Sequence, residues 1–268
     1  MTKGGEPPVR LELDGGVGRL ELNRPDAANA IDIELAGALA DATSELAQRD
    51  DLRAVLLTGA GERFCGGGDV RSFADASDDL DARLREIVAR LHVAVIGLAS
   101  LDVPVVVAVQ GSAAGAGLSL VAGADLVVAA ESAKFVMAYT AIGLTPDGGS
   151  TWYLERLVGR QRALDLILTN RVLSATEAME WGLVSRVVPD ADLAAEAETL
   201  VTTLAAGPTH AFGRAKRLLD SARTASLADQ LDAEARELTR AGTSDDATEG
   251  VAAFAAKRRP AFGGRSPA

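Results

Sequence analysis

Hydrophobic and polar positions alternate over residues 9–13 and again over Val17–Leu22, on either side of Asp14-Gly15-Gly16. Two runs of period two about such a turn predict a β-hairpin. Residues 23–30 (NRPDAANA) interrupt the pattern with Pro25 and two asparagines, and predict a loop. Asp32 stands where an N-cap belongs, ahead of a helix carrying Leu35, Leu39 and Leu46 on one side. A strand is predicted over 52–58. Residues 63–70 (RFCGGGDV) read as a loop, because three consecutive glycines suit neither a helix nor a strand interior, and its N–H groups would be open to a ligand. From Asp78 or Asp79 a long helix is predicted, with Leu80, Leu84, Ile87, Leu91, Val95 and Leu98 in steps of four and three.

The most apolar run is Val105–Val109, too short for a helix and read as a strand buried on both faces. The Ala/Gly-rich run 113–122 reads as a tightly packed turn entering a helix. Glycines at 111, 115 and 117 let backbone approach backbone, or a ligand approach backbone. Strands are predicted over 125–130, 134–137 and 184–188, and helices over 152–158 and 162–169. Ser174 and Glu177 form a capping box for a short helix ending at Gly182. Four helical stretches follow, at 192–205, 209–220, 227–241 and 249–257. The change near Gly207-Pro208 divides the chain into a mixed α/β body, 1–206, and a helical segment, 207–268. Strand, glycine loop and helix recur at 52–98 and 104–122, which hints at a repeated ββα unit.

Composition narrows the function classes. At 268 residues and 48% hydrophobic the chain can bury a large core, and with 4% aromatic residues that core must be built from Ala, Val and Leu. Its 27 basic and 38 acidic residues leave a net charge of −11, which argues against nucleic acid and against anionic membranes as partners. The lone Cys65 rules out an internal disulfide framework and suits a reducing, cytoplasmic setting. MTKGGEPPVR has no apolar run of the secretory kind, and Asp102, Pro104, Gln110 and Asp125 break up the longest apolar region.

Few familiar motifs survive inspection. The glycines at 111–117 match neither a dinucleotide fingerprint nor a phosphate loop, and Ser119 lacks the second glycine of a nucleophile elbow. Ser119 reads as a small helix residue. His92 and His210 are far apart in sequence and Cys65 has no partner, so no metal site is suggested. His92 falls in line with Leu84, Val88, Val95 and Ala99 on the expected inner side of its helix, where a histidine is ordinarily a core or interface residue. Asp147, among Pro146, Gly148 and Gly149 ahead of a helix, fits a cap or turn residue first.

Five stretches change that weighing when taken together: LNRPDAANAID, RFCGGGDV, VQGSAAGAGLSLVAGADLVVA, SAKFVMAYTAIGLTPDGGSTW and ATEAMEWGLVSRVV. They resemble the enoyl-CoA hydratase/isomerase (crotonase) family over nearly the whole chain. The resemblance implies an α/β spiral of repeated ββα units with a C-terminal helical trimerisation segment, assembled as a homotrimer or a hexamer of two trimers. It implies an acyl-CoA substrate and no cofactor, coenzyme A being part of the substrate. Two backbone N–H groups that receive the thioester oxygen match Gly68 and Ala116. Such fixed donors in a dry site lower a barrier by about 2.7–4 kcal/mol each.

The departures from the family pattern bear on the reaction. Where its hydratases carry two glutamates this chain has Ser119 and Tyr139, which puts simple hydration in doubt. Asp147 matches the working aspartate of the family's acyl-CoA isomerases and of its 4-chlorobenzoyl-CoA dehalogenases, whose histidine matches His92. AKFVMAY, GLTPDGGSTW and EGVAAFAAKRRPAF resemble the branch that isomerises epoxyphenylacetyl-CoA. The expectation is an isomerase with Asp147 as the proton carrier and Tyr139, His92, Ser119 and Ile142 about the acyl pocket. Ala28, Ala30, Arg71, Lys257 and Arg258 are expected at coenzyme A, with Ala28 where the family often has a basic residue. A hydratase, a dehalogenase-like hydrolase and a non-catalytic acyl-CoA binder are the alternatives.

Overall fold

The computed structural model describes residues 6–75 and 79–263. The alternating runs form the hairpin β1 (Val9–Asp14) and β2 (Val17–Leu22), paired antiparallel. Asp32 caps α1 (Ile33–Ala47), accepting from the Leu35 N–H at 2.8 Å, and Leu35, Leu39 and Leu46 are buried. β3 (Ala54–Gly59) leads through the glycine loop to α2 (Val70–Asp75), a short helix that the loop reading of 63–70 did not anticipate. The long helix α3 (Leu80–Ser100) follows; Asp78 lies outside the described residues. β4 (Val105–Val109) is buried at every residue, as its unbroken apolar pattern requires.

Next come β5 (Ser112–Ala114) and α4 (Ala116–Ala122), so the stretch read as a turn into a helix begins as a strand. β6 (Leu126–Ala130) and β7 (Lys134–Val136) repeat that order and are followed by α5 (Ser150–Val158) and α6 (Arg160–Thr169). β8 (Leu173–Ser174), α7 (Ala175–Glu180) and β9 (Arg186–Val188) complete the strands. The Ser174–Glu177 capping box is present. α8 (Leu193–Ala205), α9 (Thr209–Ser221), α10 (Leu227–Ala241) and α11 (Asp245–Ala255) end the chain, α11 starting four residues earlier than its apolar pattern indicated because Ser244 caps it.

Two sheets result. The larger has the order β1-β2-β3-β4-β6-β9 and is parallel from β2 onward; the smaller is β5-β7-β8. Each turn of chain lays one strand in the large sheet and one in the small sheet, then crosses back by a helix. β4-β5-α4 and β6-β7-α5 are two such ββα turns. The glycine loop after β3 joins the small sheet through one bridge, Cys65 to Ala113, and so belongs to the turn before them. α8 packs on the large sheet, α1 packs on α3, and α4 is buried along its whole length. Among the described residues no helix is long and apolar enough to cross a membrane.

Candidate active site

Consecutive turns of the spiral bring the loop after β3, the β5–α4 junction and the segment after β7 to one cavity of about 500 Å³. Its wall is mostly apolar, with Ile31, Phe73, Leu84, Ile87, Leu91, Ile142 and Leu144. Gly67, Gly68, Gly115 and Ala116 bring main chain to the surface, while Tyr139, Thr145 and Asp147 bring polar side chains.

The glycine loop is held tightly on both sides. Gly67 has φ +94°, and a Cβ there would lie 2.9 Å from the Ala114 carbonyl oxygen, so only glycine lets the two loops touch. On the other side, the Gly66 N–H donates to Ala28 O at 2.8 Å. The Ile31 N–H donates to Gly67 O at 2.7 Å and the Asp69 N–H to Ile31 O at 3.0 Å. Those last two bonds straddle Gly68, which turns its own N–H away from Ile31. Ala116 opens α4 and has no carbonyl one turn back to bond. Among the described residues, neither the Gly68 nor the Ala116 N–H is given to a protein acceptor.

Residues 23–30, expected as an irregular loop, contain a 3-10 turn at Pro25–Ala27 and two left-handed residues, Ala28 and Asn29. Asn29 holds that shape. It is fully buried, its amide reaches the carbonyls of Ala60, Arg63 and Phe64 at 2.8–3.1 Å, and its oxygen accepts from the Arg24 N–H.

Asp147 is not a helix cap. The N-cap of α5 is Gly149, with no side-chain capping bond, and positive φ at Gly148 and Gly149 turns the chain before the helix begins. Asp147 lines the cavity, and its Oδ1 accepts from the hydroxyl of a second lining residue, Tyr139. Tyr139 follows Ala138, a non-glycine residue at φ +57°, and its N–H closes a tight turn onto Met137 O at 2.7 Å. Burial above all, and then the charge and hydrogen bond of Asp147, hold the Tyr139 phenol well above its ordinary pKa.

The remaining predicted residues separate into three groups. Ile142 lines the cavity mouth and is 49% exposed. Ser119 is buried behind Tyr139 and does not reach the wall; its Oγ lies 3.2 Å from the Tyr139 hydroxyl and donates to Asp147 O at 3.0 Å. His92 departs from expectation. The inward line of α3 is Ile87, Leu91, Ala94 and Leu98, and His92, about 100° round the helix from Leu91, is exposed. Its Nε2 accepts from the Gly148 N–H at 3.4 Å, beside Asp147 but off the cavity wall.

Ala28, Ala30 and Arg71 line an open groove of about 980 Å³ that shares Gly66, Gly68 and Val70 with the cavity. Arg24 and Arg63 also line it, and the sequence reading missed both. Arg63 directly precedes the Phe-Cys-Gly-Gly-Gly run, which was the available signal. Arg24 is tied to Asp32 and Asp69 at 2.9 and 3.2 Å. Lys257 and Arg258 line neither space, and Arg258 pairs with Glu249 at 2.6 Å. Cys65 is buried, donates to Asn29 O, and has its thiol pushed up to about 12 by burial, which makes it a poor nucleophile.

An apolar chamber with two unspent main-chain donors and one carboxylate suits proton transfer next to a carbonyl. The sequence profile described as enoyl-CoA hydratase/isomerase matches residues 12–265. The 1,2-epoxyphenylacetyl-CoA isomerase of Escherichia coli K12 is 43% identical over 258 residues, covering 96% of this chain and 98% of that protein. A Rhodobacter capsulatus protein named as a probable enoyl-CoA hydratase is 39% identical over 257 residues, covering 96% and 98%. The crystal structure of an enoyl-CoA hydratase from Polaromonas sp. JS666 superposes with a TM-score of 0.90 at 32% identity, covering 95% of this chain and 99% of that one. The double-sheet spiral, the glycine loop set against the start of α4, and these matches along almost the entire chain make the protein a member of the enoyl-CoA hydratase/isomerase family, with the crotonase fold.

Proposed function

We propose that the protein is a coenzyme A thioester isomerase in which Asp147 carries a proton between two carbons of the acyl group. The observation that supports this most strongly is that, among the described residues, Asp147 is the one acidic residue lining a chamber that also presents two unpaired amides. The thioester oxygen sits on the N–H groups of Gly68 and Ala116. Asp147 removes a proton near the carbonyl, the electron pair moves onto the oxygen as an enolate, and the proton returns at another carbon, moving a double bond or opening a ring. Ile142, Leu144 and Phe73 exclude water around an apolar acyl group.

The groove past Gly68 takes coenzyme A along Ala28 and Ala30, with Arg63 and Arg71 for its phosphates. Lys257 and Arg258 would meet a ligand only across a subunit boundary. The reaction needs no cofactor beyond the coenzyme A of the substrate. The identity to the Escherichia coli isomerase supports a ring-epoxidised phenylacetyl thioester as substrate. A place in phenylacetate catabolism would follow from that substrate, and the lone Cys65 suits a cytoplasmic setting. A trimer, or a hexamer of two trimers, is the assembly we infer.

A hydratase reading draws on the Rhodobacter relative. It asks for a second carboxylate to manage water, and Ser119 and Tyr139 stand where the family's hydratases carry glutamates. A panel of aromatic and straight-chain enoyl-CoA esters separates the two readings. Products of unchanged mass with a shifted ultraviolet spectrum support the isomerase; products heavier by one water on every substrate turned over support the hydratase.

A further inference from the structure

We propose that Tyr139 is a positioning residue for Asp147: its hydroxyl fixes carboxylate Oδ1 and leaves Oδ2 as the oxygen that meets the acyl group. The inference rests on the reading of Asp147 as the base. Three observations carry it. The Tyr139 hydroxyl donates to Oδ1, and among the described residues no other donor reaches either carboxylate oxygen. Behind Tyr139, the buried Ser119 on α4 gives its one hydroxyl hydrogen to the Asp147 main-chain oxygen at 3.0 Å, so it fixes the backbone of Asp147 and leaves the carboxylate to the phenol. Asp147 itself lies in a turn whose two following glycines have positive φ, and its carboxylate caps no helix N–H that could orient it. The hydroxyl supplies the orientation that the backbone does not.

A phenylalanine would fill the same wall space, so packing alone does not call for the phenol. The hydroxyl has one hydrogen, and it goes to Oδ1. With the phenol held well above its ordinary pKa, chiefly by burial, Tyr139 keeps that hydrogen through the cycle. The moving proton therefore belongs to Oδ2: the substrate C–H bond breaks, an O–H bond forms on Oδ2, and the C–H electron pair becomes the enolate. The reverse sequence at the second carbon restores the carboxylate. Tyr139 gives up and gains nothing. Losing its hydroxyl frees the carboxyl to rotate, which lowers the share of reactive orientations without altering the thioester's own contacts.

The test uses Tyr139→Phe, Tyr139→Leu and Asp147→Asn in the full chain, with a β,γ-unsaturated hexenoyl-CoA as probe and the conjugated product read by absorbance. For Tyr139→Phe, kcat is expected to fall about 10- to 100-fold with KM changed by less than about 3-fold, and the deuterium isotope effect at the abstracted position is expected to rise. Unchanged kcat, or a loss confined to KM, overturns the positioning role and makes Tyr139 a wall residue. If Tyr139→Phe does not fold, Tyr139→Leu, which also lacks the donor, decides on the same terms: a fall in kcat at nearly constant KM supports the proposal, and wild-type kcat overturns it. Asp147→Asn keeps the two readings apart. Turnover by that variant sinks the base assignment itself, whereas an inactive Asp147→Asn beside a fully active Tyr139→Phe sinks only the positioning role.

Discussion

Single residues in this chain divide into those that react and those that let main chain come close. Gly117 belongs to the second kind. A Cβ there would lie 2.6 Å from the Cys65 carbonyl oxygen, which belongs to a backbone fixed in a sheet bridge. Gly117→Ala is expected to destabilise the fold by about 1–3 kcal/mol, read as a lower urea midpoint at unchanged slope. The buried Cys65 thiol, pushed up to about 12, is expected to resist a thiol reagent near neutral pH in the native protein and to react on unfolding. At this scale the sequence was legible where backbone geometry demanded a residue type, as at glycines 67, 115 and 117. His92 was misplaced because apolar spacing locates a helix face only to within about one residue, or 100°. The contact of Tyr139 with Asp147 was not legible, since it depends on the left-handed turn at Ala138, a residue that ordinarily avoids that conformation.

Elements were readable where period, residue type or a cap left a local signal. The hairpin, α1 with its Asp32 cap, the buried β4 and the Ser174–Glu177 capping box follow from period, cap and turn chemistry. β5 and β8 run for three and two residues with no β-branched or aromatic residue among them, unlike the equally short β7 and β9, and they are held by neighbours distant in sequence. The loop 23–30 is organised by long-range bonds from Asn29. Asn29→Ala removes the donor to three carbonyls, of which that of Phe64 is buried, and is expected to cost about 1–3 kcal/mol, with kcat falling as the glycine loop that Ala28 and Ile31 hold is loosened. Thermal unfolding and steady-state kinetics on one preparation check both effects. After α11, Arg258 and the Ala261 N–H hold Glu249 down at about 2. A carboxylate lowered on folding stabilises fully above its unfolded value, near 4.5, and loses that contribution as pH falls toward its folded value. Protection of the Ala261 amide against hydrogen exchange is therefore expected to hold at pH 5 and to fade between about 4.5 and 2.

At the scale of the whole molecule the spiral closes its own core, but the helices after Gly207-Pro208 do not close theirs. α9 is fastened to the body, where a Cβ on Gly213 would lie 2.3 Å from Asp102 O and Lys216 pairs with Asp125 at 2.6 Å. α10 buries none of its residues in the single chain; Leu227 and Leu238 are 76% and 75% exposed, and Phe254 on α11 is 87% exposed. Apolar faces of this extent support the proposed self-association. Sedimentation is expected to give a multiple of the 27.6 kDa chain, and Leu238→Glu to shift it toward the monomer; a wild-type monomer at micromolar concentration contradicts the assembly. Amphipathic helices were readable here from the sequence, but what covers them was not, because a periodic apolar stripe looks the same against its own body as against a second copy. The central claim is that Asp147 moves the proton while main-chain donors hold the thioester. Turnover and acyl-CoA affinity of Asp147→Asn, measured together, test it most directly: turnover at least about a thousandfold lower with Kd within a few fold of wild type is expected, and retained turnover contradicts it.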